Sequence, residues 1–541
     1  MRVCVAADVG STTTKMLAFA ETDGVWRVAA DVFAPTTVEP PTADVMVGFA
    51  AAAEQVARVL DLAPEEVLGP RRPPWLTLLA TSSAGGGLQL AVAGAVSRFS
   101  ARLAHQAALG AGAVVADVFA ADDSRNPVAW LEQLESLRPD LLLLAGGTDE
   151  AREIRFIPSF CDVLAQSGVA SKAGEDVPLP VVYAGYPRGR EAVEAILGGR
   201  FLVRAVDNVA RDLDRANVEP VRAAILELFT EHVMAHAPGY PQLTRAVDHA
   251  VLPTPVACAR LLARLADGRE RIVAVDVGGA TTDVYRSDGS EVHRTVSANL
   301  GLSYSALNVL DEAGVAAVAR WVDVPLAEGA VRNQVGNKML RPTTLPTDDV
   351  ALAVEQGVVR EALRLAWAQH QEVYPAPGFQ PTVVLGSGGP LSRAPDRLSA
   401  LAMLVDGLLP TGVAEVVVDS LFLLPHLGVL SEVDQAAALA IWEQVGQVSL
   451  ATVVAAAGPP AAVSLRPAGG APVRVPAGQV QIFPWPAGSR VEVAPGSGTD
   501  LGSGPGRART VEVGPGRYGL LVDARGRPAQ LPVAQAAWRA S

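Results

Sequence analysis

The sequence predicts an α/β protein whose core contains two copies of one folding unit. Residues 7–15 and 275–283 share one pattern, with equivalent positions 268 residues apart. Each copy follows an apolar run that is rich in β-branched residues, which is typical of a buried strand. Strands and helices are predicted to alternate between the two copies, as they do in α/β proteins.

Each copy places an aspartate, then glycine, then hydroxyl side chains where its strand ends. The residues are Asp8, Gly10, Ser11, Thr12 and Thr13 in the first copy, and Asp276, Gly278, Gly279, Thr281 and Thr282 in the second. A glycine-rich reversal after a buried strand exposes backbone N–H groups that suit phosphate oxygens. A carboxylate beside phosphates can hold Mg²⁺ through water. One such turn is weak evidence, but two in one chain predict a duplicated fold that closes on a nucleotide.

Residues 1–84 are predicted to form strand, turn, two strands, helix and strand. The helix covers 45–60, where apolar residues recur at helical spacing, and Pro64 follows its end. Residues 16–20 continue as a strand after the turn, so the turn is predicted to be a hairpin. A P-loop or Rossmann unit leads from its phosphate turn straight into a helix, so neither fits.

Residues 85–200 are predicted to form an α/β insert that opens with three glycines, Gly85 to Gly87. A long Ala-rich helix is predicted directly after these glycines. The predicted strands are 113–119, 141–145 and 180–184, and the further predicted helices are 127–137 and 190–197. Such alternation predicts a parallel sheet with helices on its faces. The glycines at its strand ends either line a ligand crevice or permit tight turns. Residues 201–267 are predicted to be a helical connection, with helices at 221–236 and 254–265.

Residues 268–440 repeat the order of the opening segment and add a third glycine element. Helices are predicted at 303–313 and 350–369, and a strand at 382–385 precedes Gly386, Gly388 and Gly389. Glycines at a strand end let a flat base and a ribose approach the backbone without meeting Cβ atoms. Residues 457–541 are rich in Gly and Pro with short alternating strands, which predicts a β-rich C-terminal domain.

The composition limits the class of partner. Half of the 541 residues are hydrophobic, and the formal net charge is −13, which argues against nucleic acid or an anionic membrane as the main partner. The three cysteines, Cys4, Cys161 and Cys258, are scattered, which excludes a disulfide framework and disfavours a zinc or iron–sulfur site. His232 and His236 lack a nearby third ligand, so a metal site there is also disfavoured.

The sequence predicts a cytoplasmic protein. No signal peptide is recognised at the start, and the apolar stretches fall short of the roughly 20 residues that span a bilayer.

In the order phosphate turn, phosphate turn and adenosine-type glycine turn, the chain resembles the actin/Hsp70/sugar-kinase ATPase superfamily. Within it the chain is similar to the glutamate mutase L family, the MutL/GlmL accessory proteins, over nearly its whole length. The segments that carry the resemblance are 8–15, 81–88, 138–149, 276–285, 336–344 and 523–528. The resemblance implies a duplicated actin/Hsp70-like (ribonuclease H-like) ATPase core with an α/β insert and a C-terminal β-rich domain.

The resemblance also implies roles for individual residues, with ATP and Mg²⁺ as cofactors. Asp8 and Asp276 would hold Mg²⁺ or its waters. The residues expected to grip phosphates are Ser11, Thr12, Thr13 and Lys15 on one side, and Gly278, Gly279, Thr281 and Thr282 on the other. Gly386, Gly388 and Gly389 would face adenosine. Asp283 would orient a water or cap its turn, and Thr81 and Ser82 lie near the γ-phosphate or cap a helix.

The resemblance implies an ATP-dependent accessory or reactivating factor for an adenosylcobalamin-dependent mutase or aminomutase. A small-molecule kinase and a nucleotide-dependent scaffold without appreciable turnover remain alternatives. A dehydratase activator that shares an iron–sulfur cluster is disfavoured, because the cysteines are not paired. The insert resembles the flavodoxin-like layout of cobalamin-binding domains but lacks an Asp-x-His-x-x-Gly stretch. It is therefore expected to mimic or dock against the mutase's cobalamin subunit.

Overall fold

A computed structural model describes residues 2–10, 13–38, 42–69, 71–83, 88–170, 177–233, 238–268, 270–289, 291–297, 299–303, 305–342, 344–527 and 538–540. The chain divides into two compact units. The first comprises Met1–Cys258 and Pro425–Ile441, and the second comprises Ala259–Leu424 and Trp442–Ser541. Of the residues singled out in the sequence, Ser11, Thr12, Gly85 to Gly87 and His236 lie outside the described ranges.

The first unit begins with the predicted order of three strands, a helical segment and a strand. Its elements are β1 (Arg2–Val9), β2 (Thr13–Thr22), β3 (Val25–Pro35), α1 (Val45–Val59), α2 (Pro64–Leu68) and β4 (Leu76–Ser82). Helix α1 begins after Asp44, whose carboxylate accepts the backbone N–H of Met46 at 2.8 Å. Its buried face, which includes Phe49 and Val56, packs into the core of this sheet.

The insert forms a five-stranded, all-parallel sheet. Its elements are β5 (Gln89–Gly94), α3 (Arg102–Gly110), β6 (Val114–Ala120), α4 (Pro127–Leu137), β7 (Leu141–Ala145), α5 (Phe156–Gln166), β8 (Pro180–Tyr183), α6 (Arg190–Leu197) and β9 (Leu202–Ala205). The spatial order is β6-β5-β7-β8-β9. This is the flavodoxin-like order, so the predicted resemblance of the insert to that layout is confirmed.

The long Ala-rich helix predicted directly after Gly85 to Gly87 is wrong at its start. Residues 89–94 form β5 because they pair in parallel with both β6 and β7, and α3 begins only at Arg102.

The chain then becomes mainly helical before it reaches the second unit. The elements are α7 (Glu219–Leu228), α8 (Tyr240–Ala246), β10 (Leu252–Pro253) and α9 (Thr254–Ala266). The helix predicted at 221–236 ends earlier, because a π-helical turn, Phe229–Val233, follows α7. Strand β10 lies parallel to β4 and gives the first sheet the order β10-β4-β1-β2-β3.

The second unit repeats this plan. Its elements begin with β11 (Ile272–Val277), β12 (Thr282–Ser287), β13 (Val292–Ser297), α10 (Ala306–Ala313), α11 (Val315–Ala319), α12 (Glu328–Leu340), α13 (Asp349–Val373), β14 (Val383–Gly388), α14 (Gly389–Ser392), α15 (Arg397–Leu408), β15 (Gly412–Asp419), α16 (Leu423–Val433) and α17 (Gln435–Ile441). Residues Pro425–Ile441 of the last two helices belong to the first unit.

The two sheets show that the core is duplicated. The run β13-β12-β11-β14-β15 has the same order as β3-β2-β1-β4-β10, and the first three strands are antiparallel in both. Strand β4 lies parallel to β1, and the equivalent strand β14 lies parallel to β11. The predicted duplication is therefore confirmed, with each phosphate turn inside the first hairpin.

The C-terminal segment divides between two sheets. Its strands are β16 (Gln447–Ala455), β17 (Val463–Pro467), β18 (Val473–Val475), β19 (Val480–Phe483), β20 (Arg490–Ala494), β21 (Arg509–Glu512), β22 (Leu520–Asp523) and β23 (Trp538–Ala540). Strands β18-β17-β20-β21 form a separate antiparallel sheet, which is the predicted β-rich part. Strands β16, β22, β19 and β23 extend the sheet of the second core half.

A buried ion network joins α15 to residues 523–527 of the second unit, which belong to a segment that carried part of the resemblance. Arg525 donates to Asp406 at 2.7 Å and to Asp523 at 2.8 Å, and Arg527 donates to Asp523 at 2.8 Å. Asp406 also accepts from Arg360 at 3.1 Å. All of these residues are buried, so their charges are stabilised by one another and not by water.

The cysteines and the apolar helices were both subjects of sequence predictions. All three cysteines are buried and unbonded to one another, and burial raises the pKa of Cys4 and of Cys161 to about 12. Cys4 is therefore the core residue that its place in β1 predicts. Among the described helices, none combines the length and apolar character needed to cross a membrane.

Candidate functional site

The two predicted phosphate turns share one backbone hydrogen bond. In the first turn the N–H of Gly10 donates to the carbonyl of Thr13 at 3.1 Å. In the second the N–H of Gly278 donates to the carbonyl of Thr281 at 2.8 Å. A Cβ on Gly10 would lie 2.9 Å from that carbonyl oxygen, so the tight reversal requires glycine. The repeated sequence pattern therefore folds into a repeated geometry.

Strand pairing fixes what lies beside each aspartate. Asp8 pairs with Lys15 across the first hairpin, and Asp276 pairs with Asp283 across the second. The second unit thus has a carboxylate at the position of the lysine in the first. Thr14 and Thr282 occupy the next equivalent position and are both buried. The side-chain hydroxyl of Thr282 donates to the carbonyl of Leu300 at 2.5 Å, which secures the start of β12.

The Asp8 carboxylate is held by two hydroxyl groups. Thr81 in β4 donates to Oδ1 of Asp8 at 3.0 Å, and Thr254 at the start of α9 donates to the same atom at 2.7 Å. Both bonds fall on Oδ1, so Oδ2 receives no hydrogen bond from the described part of the chain. The carboxylate is therefore fixed in orientation and retains an oxygen for a water or a cation.

Thr81 and Ser82 are strand residues, so the alternative that they cap a helix is wrong. The hydroxyls of Ser82 and Tyr240 lie 2.5 Å apart in the interior. Burial raises the pKa of Tyr240, and the negative charge of Asp8 adds to that effect. The phenol therefore stays neutral, and α8 is tied to the strand that supports Asp8.

A following segment braces the second phosphate turn. Leu302 donates its backbone N–H to the carbonyl of Gly278 at 3.0 Å, and Ser303 donates its N–H to the carbonyl of Gly279 at 2.8 Å. The hydroxyl of Ser305 donates to the carbonyl of Ala280 at 2.7 Å. These bonds occupy carbonyls of the turn, and a ligand anion needs its N–H groups. The brace therefore leaves the phosphate-binding chemistry intact.

Asp283 is engaged in an ion pair. Arg294 in β13 donates through Nε to Oδ1 of Asp283 at 2.8 Å, and a second guanidinium nitrogen lies 2.5 Å away. Burial opposes the charge of Arg294, but Asp283 and Tyr285 outweigh that cost and raise the pKa of Arg294. The Asp283 carboxylate therefore has a structural role, because its ion pair with Arg294 links β12 to β13. The water-orienting role predicted for Asp283 stays a prediction.

The third glycine element differs from its predicted form. The strand was expected to end at 385, but β14 continues through Gly388 because its pairing with β11 extends to Val277. A Cβ on Gly386 would lie 2.8 Å from a methyl group of Leu404, so core packing requires this glycine. Gly388 has φ +94°, and a Cβ there would lie 2.7 Å from Oδ1 of Asp276. Gly389 faces open space.

The strand next to β14 ends at a buried carboxylate that sequence reasoning missed. Asp419 accepts the backbone N–H of Leu423 at 2.9 Å and of Leu424 at 3.1 Å, and so it caps the start of α16. Ser387 lies 3.4 Å from the same carboxylate. Burial raises the pKa of Asp419, and the N–H donors oppose that rise.

The residues that were missed act through distant contacts. Thr254 has a local signal only as a helix start, because Pro255 follows it. Nothing near it in the sequence indicates Asp8. Arg294, Ser303 and Ser305 likewise lie at ordinary strand and loop positions.

The described residues contain no cluster of three or more His, Cys, Asp or Glu side chains that could hold a metal ion. The chemistry of Asp8 nevertheless fits Mg²⁺, which commonly binds through one or two carboxylates, retained waters and phosphate oxygens. Oδ2 of Asp8, which accepts neither of the two hydroxyl hydrogen bonds, is the oxygen that could bind the ion or one of its waters.

Two halves of one strand order, each with an aspartate and a glycine turn in its first hairpin, define an actin/Hsp70-like ATPase fold with an α/β insert. The chain belongs to the MutL family, because the model of the MutL protein family matches residues 4–445. Protein MutL of Clostridium tetanomorphum is 32% identical over 338 residues, which cover 58% of this chain and 67% of that protein.

The solved structures to which the chain is similar are more distant in sequence. Acetone carboxylase in its nucleotide-free form is 13% identical, with a TM-score of 0.36 over 80% of this chain and 70% of that chain. The diol dehydratase-reactivating factor in nucleotide-free form is 12% identical, with a TM-score of 0.34 over 80% of this chain and all of that chain. Component A of (R)-2-hydroxyglutaryl-CoA dehydratase from Acidaminococcus fermentans is 10% identical, with a TM-score of 0.28 over 79% of this chain and 96% of that chain.

Proposed function

We propose that this protein binds and hydrolyses ATP as an accessory or reactivating factor for an adenosylcobalamin-dependent mutase or aminomutase. The observation that carries the proposal is the pair of turns. In each, an aspartate precedes a glycine whose N–H bonds a threonine carbonyl three residues later. Membership of the MutL family supports a role beside a partner enzyme.

In this proposal the two turns hold the phosphates, and Asp8 and Asp276 hold Mg²⁺ or its waters. Backbone N–H groups at both turns and the charge of Lys15 would bind phosphate oxygens. Bound Mg²⁺ would neutralise charge that develops on the phosphates. Gly389, which faces open space, would let the nucleoside approach the backbone. The ATP site does not depend on the role predicted for Asp283.

The insert supplies a candidate surface for the partner. Its strand order is that of flavodoxin-like domains, which supports the proposal that it mimics or docks against the cobalamin-binding subunit. Domain closure around a bound nucleotide is a general way to transmit ATP hydrolysis to a partner.

The test mixes the full chain with a mutase whose cobalamin has been damaged, with MgATP, with ADP or without nucleotide. Absorbance of released cobalamin and phosphate production are measured for the wild type and for Asp8→Asn. Asp31→Asn is the matched control, because Asp31 is an exposed carboxylate on β3 of the same sheet. We expect ATP-dependent release, with turnover reduced roughly a hundredfold in Asp8→Asn alone.

Three outcomes would contradict the proposal. No release in any nucleotide state would remove the reactivating role. Release with bound ATP but without turnover would identify a nucleotide-dependent scaffold. Phosphorylation of a hydroxylated metabolite would identify a small-molecule kinase.

A further inference from the structure

The second unit contains a cavity of about 170 Å³ between α10, α12, α13 and residues 344–347. Asn337, Lys338 and Thr344 line it, and all three belong to a segment that carried the family resemblance. Neither the turn at 276–283 nor the glycines at 386–389 contribute to its lining. Among the described residues the cavity is therefore separate from the candidate nucleotide site.

The walls of the cavity are mainly aliphatic. The apolar side chains that line it are Leu302, Ala306, Val335, Leu345, Pro346, Ala351, Val354 and Val358. Most of these are buried, but Leu345 is 79% exposed at the rim. An apolar lining of this kind gains free energy by removing apolar surface of an occupant from water.

The polar groups at the rim are already bonded to one another. Lys338 pairs with Glu355 at 3.1 Å and also donates to the carbonyl of Thr344. Gln334 donates through Nε2 to the carbonyl of Ala351 at 2.8 Å. A polar ligand would have to replace these bonds, whereas an apolar occupant leaves them in place. The pairing therefore favours an apolar occupant.

The size of the cavity indicates one side chain. Pockets for small-molecule ligands usually measure about 300–1,000 Å³, which is well above the volume here. At the rim Leu345 is 79% exposed, so apolar surface extends from the cavity to its edge. A small ligand would leave that surface uncovered, but a partner segment would cover it.

Charge gives the partner a second property. Asp348 and Asp349 follow the segment 344–347 and are both exposed. Asp348 also accepts the N–H of Ala351 at 2.8 Å, so its carboxylate is held in place at the start of α13. The carboxylate of Asp348, which directly follows the lining segment 344–347, complements a basic residue on the partner.

We propose that this cavity is a docking site for a protein segment that inserts one bulky aliphatic or aromatic side chain and carries a basic residue beside it. Leu302 connects the site to the second phosphate turn. Its side chain lines the cavity, and its backbone N–H bonds the carbonyl of Gly278. Docking therefore changes the affinity for nucleotide, and nucleotide changes the affinity for the docked segment; this link rests on the proposed ATP site.

The test uses a displayed library of 12-residue peptides selected on the full-length protein. Peptide affinity is then measured for wild type, for Ala351→Trp, which fills the cavity, and for Leu345→Ser, which alters only an exposed rim residue. Ala368→Trp is the matched control, because Ala368 is an exposed alanine elsewhere on α13. Circular dichroism checks that each variant is folded.

We expect selected peptides to share a bulky apolar residue with Lys or Arg close by. Their affinity should fall at least tenfold in Ala351→Trp and in Leu345→Ser but not in Ala368→Trp. Failure to select any peptide, or equal binding to Ala351→Trp, would overturn the docking site.

A second arm repeats the binding with a non-hydrolysable ATP analogue and Mg²⁺. Peptide affinity should change roughly fivefold or more when the analogue is bound. Unchanged affinity with the analogue demonstrably bound would overturn the link alone. A protein that binds peptide but no nucleotide would contradict the proposed ATP site and leave the docking site supported.

Discussion

Thr254 donates its hydroxyl to the carboxylate of Asp8 at 2.7 Å, although 246 positions separate them in the chain. The bond joins the start of α9 to the end of β1 within the first unit. Together with Thr81, Thr254 fixes one carboxylate oxygen of Asp8 and leaves the other available. The orientation of the key aspartate thus depends on a threonine that lies far from it in the sequence.

Thr254→Val should weaken both the fold and the ATP site. A hydrogen bond to a charged group contributes about 1.5 kcal/mol at the lower end, which suits a partly exposed carboxylate. We expect urea denaturation to show a loss of that size, and titration calorimetry to show MgATP affinity reduced about tenfold. Thr77→Val in β4 is the control and should change neither. Unaltered MgATP affinity in Thr254→Val would show that Asp8 needs no such positioning.

Alanine should destabilise the fold at one of two neighbouring glycines and leave its stability nearly unchanged at the other. Gly388 has φ +94°, and its Cβ would lie 2.3 Å from the carbonyl oxygen of Val277, so Gly388→Ala should lower the unfolding free energy by about 2–4 kcal/mol. A Cβ on Gly389 would have no atom within 4 Å, so Gly389→Ala should change the unfolding free energy by less than about 1 kcal/mol. We expect Gly389→Ala instead to weaken MgATP binding. Denaturation and calorimetry distinguish the two, and equal stability losses would contradict this geometry.

The buried ion network should be far more sensitive than a surface pair. Arg525→Met leaves Asp406 and Asp523 buried with fewer partners, so the unfolding free energy should fall by about 3–5 kcal/mol. Arg490→Met is the control, because it breaks an exposed pair with Glu512 that contributes about 1 kcal/mol or less. Chemical denaturation of both variants measures the difference. A loss below 1 kcal/mol for Arg525→Met would contradict the network.

His370 should make the second unit sensitive to acid. Burial lowers the pKa of His370 to about 3, and the charges of Arg286 and His293 add to the effect. Between about pH 6.5 and 3 the unfolded chain therefore binds a proton that the folded chain does not. The contribution is full above about pH 6.5 and declines as the pH falls, by up to about 1.4 kcal/mol per pH unit.

His370→Gln should remove that part of the pH dependence. Urea denaturation of wild type and variant at pH 7, 6 and 5 gives the two slopes. We expect the wild type to lose more stability on acidification than the variant. Parallel slopes would show that His370 does not titrate in this range.

Local patterns predicted the elements that hold the phosphate turns, since β1 and β11 are apolar runs and Gly10 and Gly278 mark reversals. They misplaced the end of β14, because glycines in a strand resemble a turn until the pairing with β11 is known. They also could not show that β16 and β22 extend the core sheet, because that depends on long-range pairing.

The candidate site shows the same division. The aspartates and glycines were found from their repeated spacing. Thr254 and Arg294 were not, because a partner on another element leaves no periodic signal in the sequence. Asp283 was assigned to chemistry from its position alone, and its ion pair with Arg294 becomes apparent only when β12 and β13 are paired.

Calorimetric titration of the full chain with MgATP shows whether both turns bind one nucleotide. We expect saturable binding at one site, weakened at least tenfold in Asp8→Asn and in Asp276→Asn and unchanged in Asp31→Asn. Absence of binding to the wild type, or undiminished affinity in either Asp8→Asn or Asp276→Asn, would contradict this expectation.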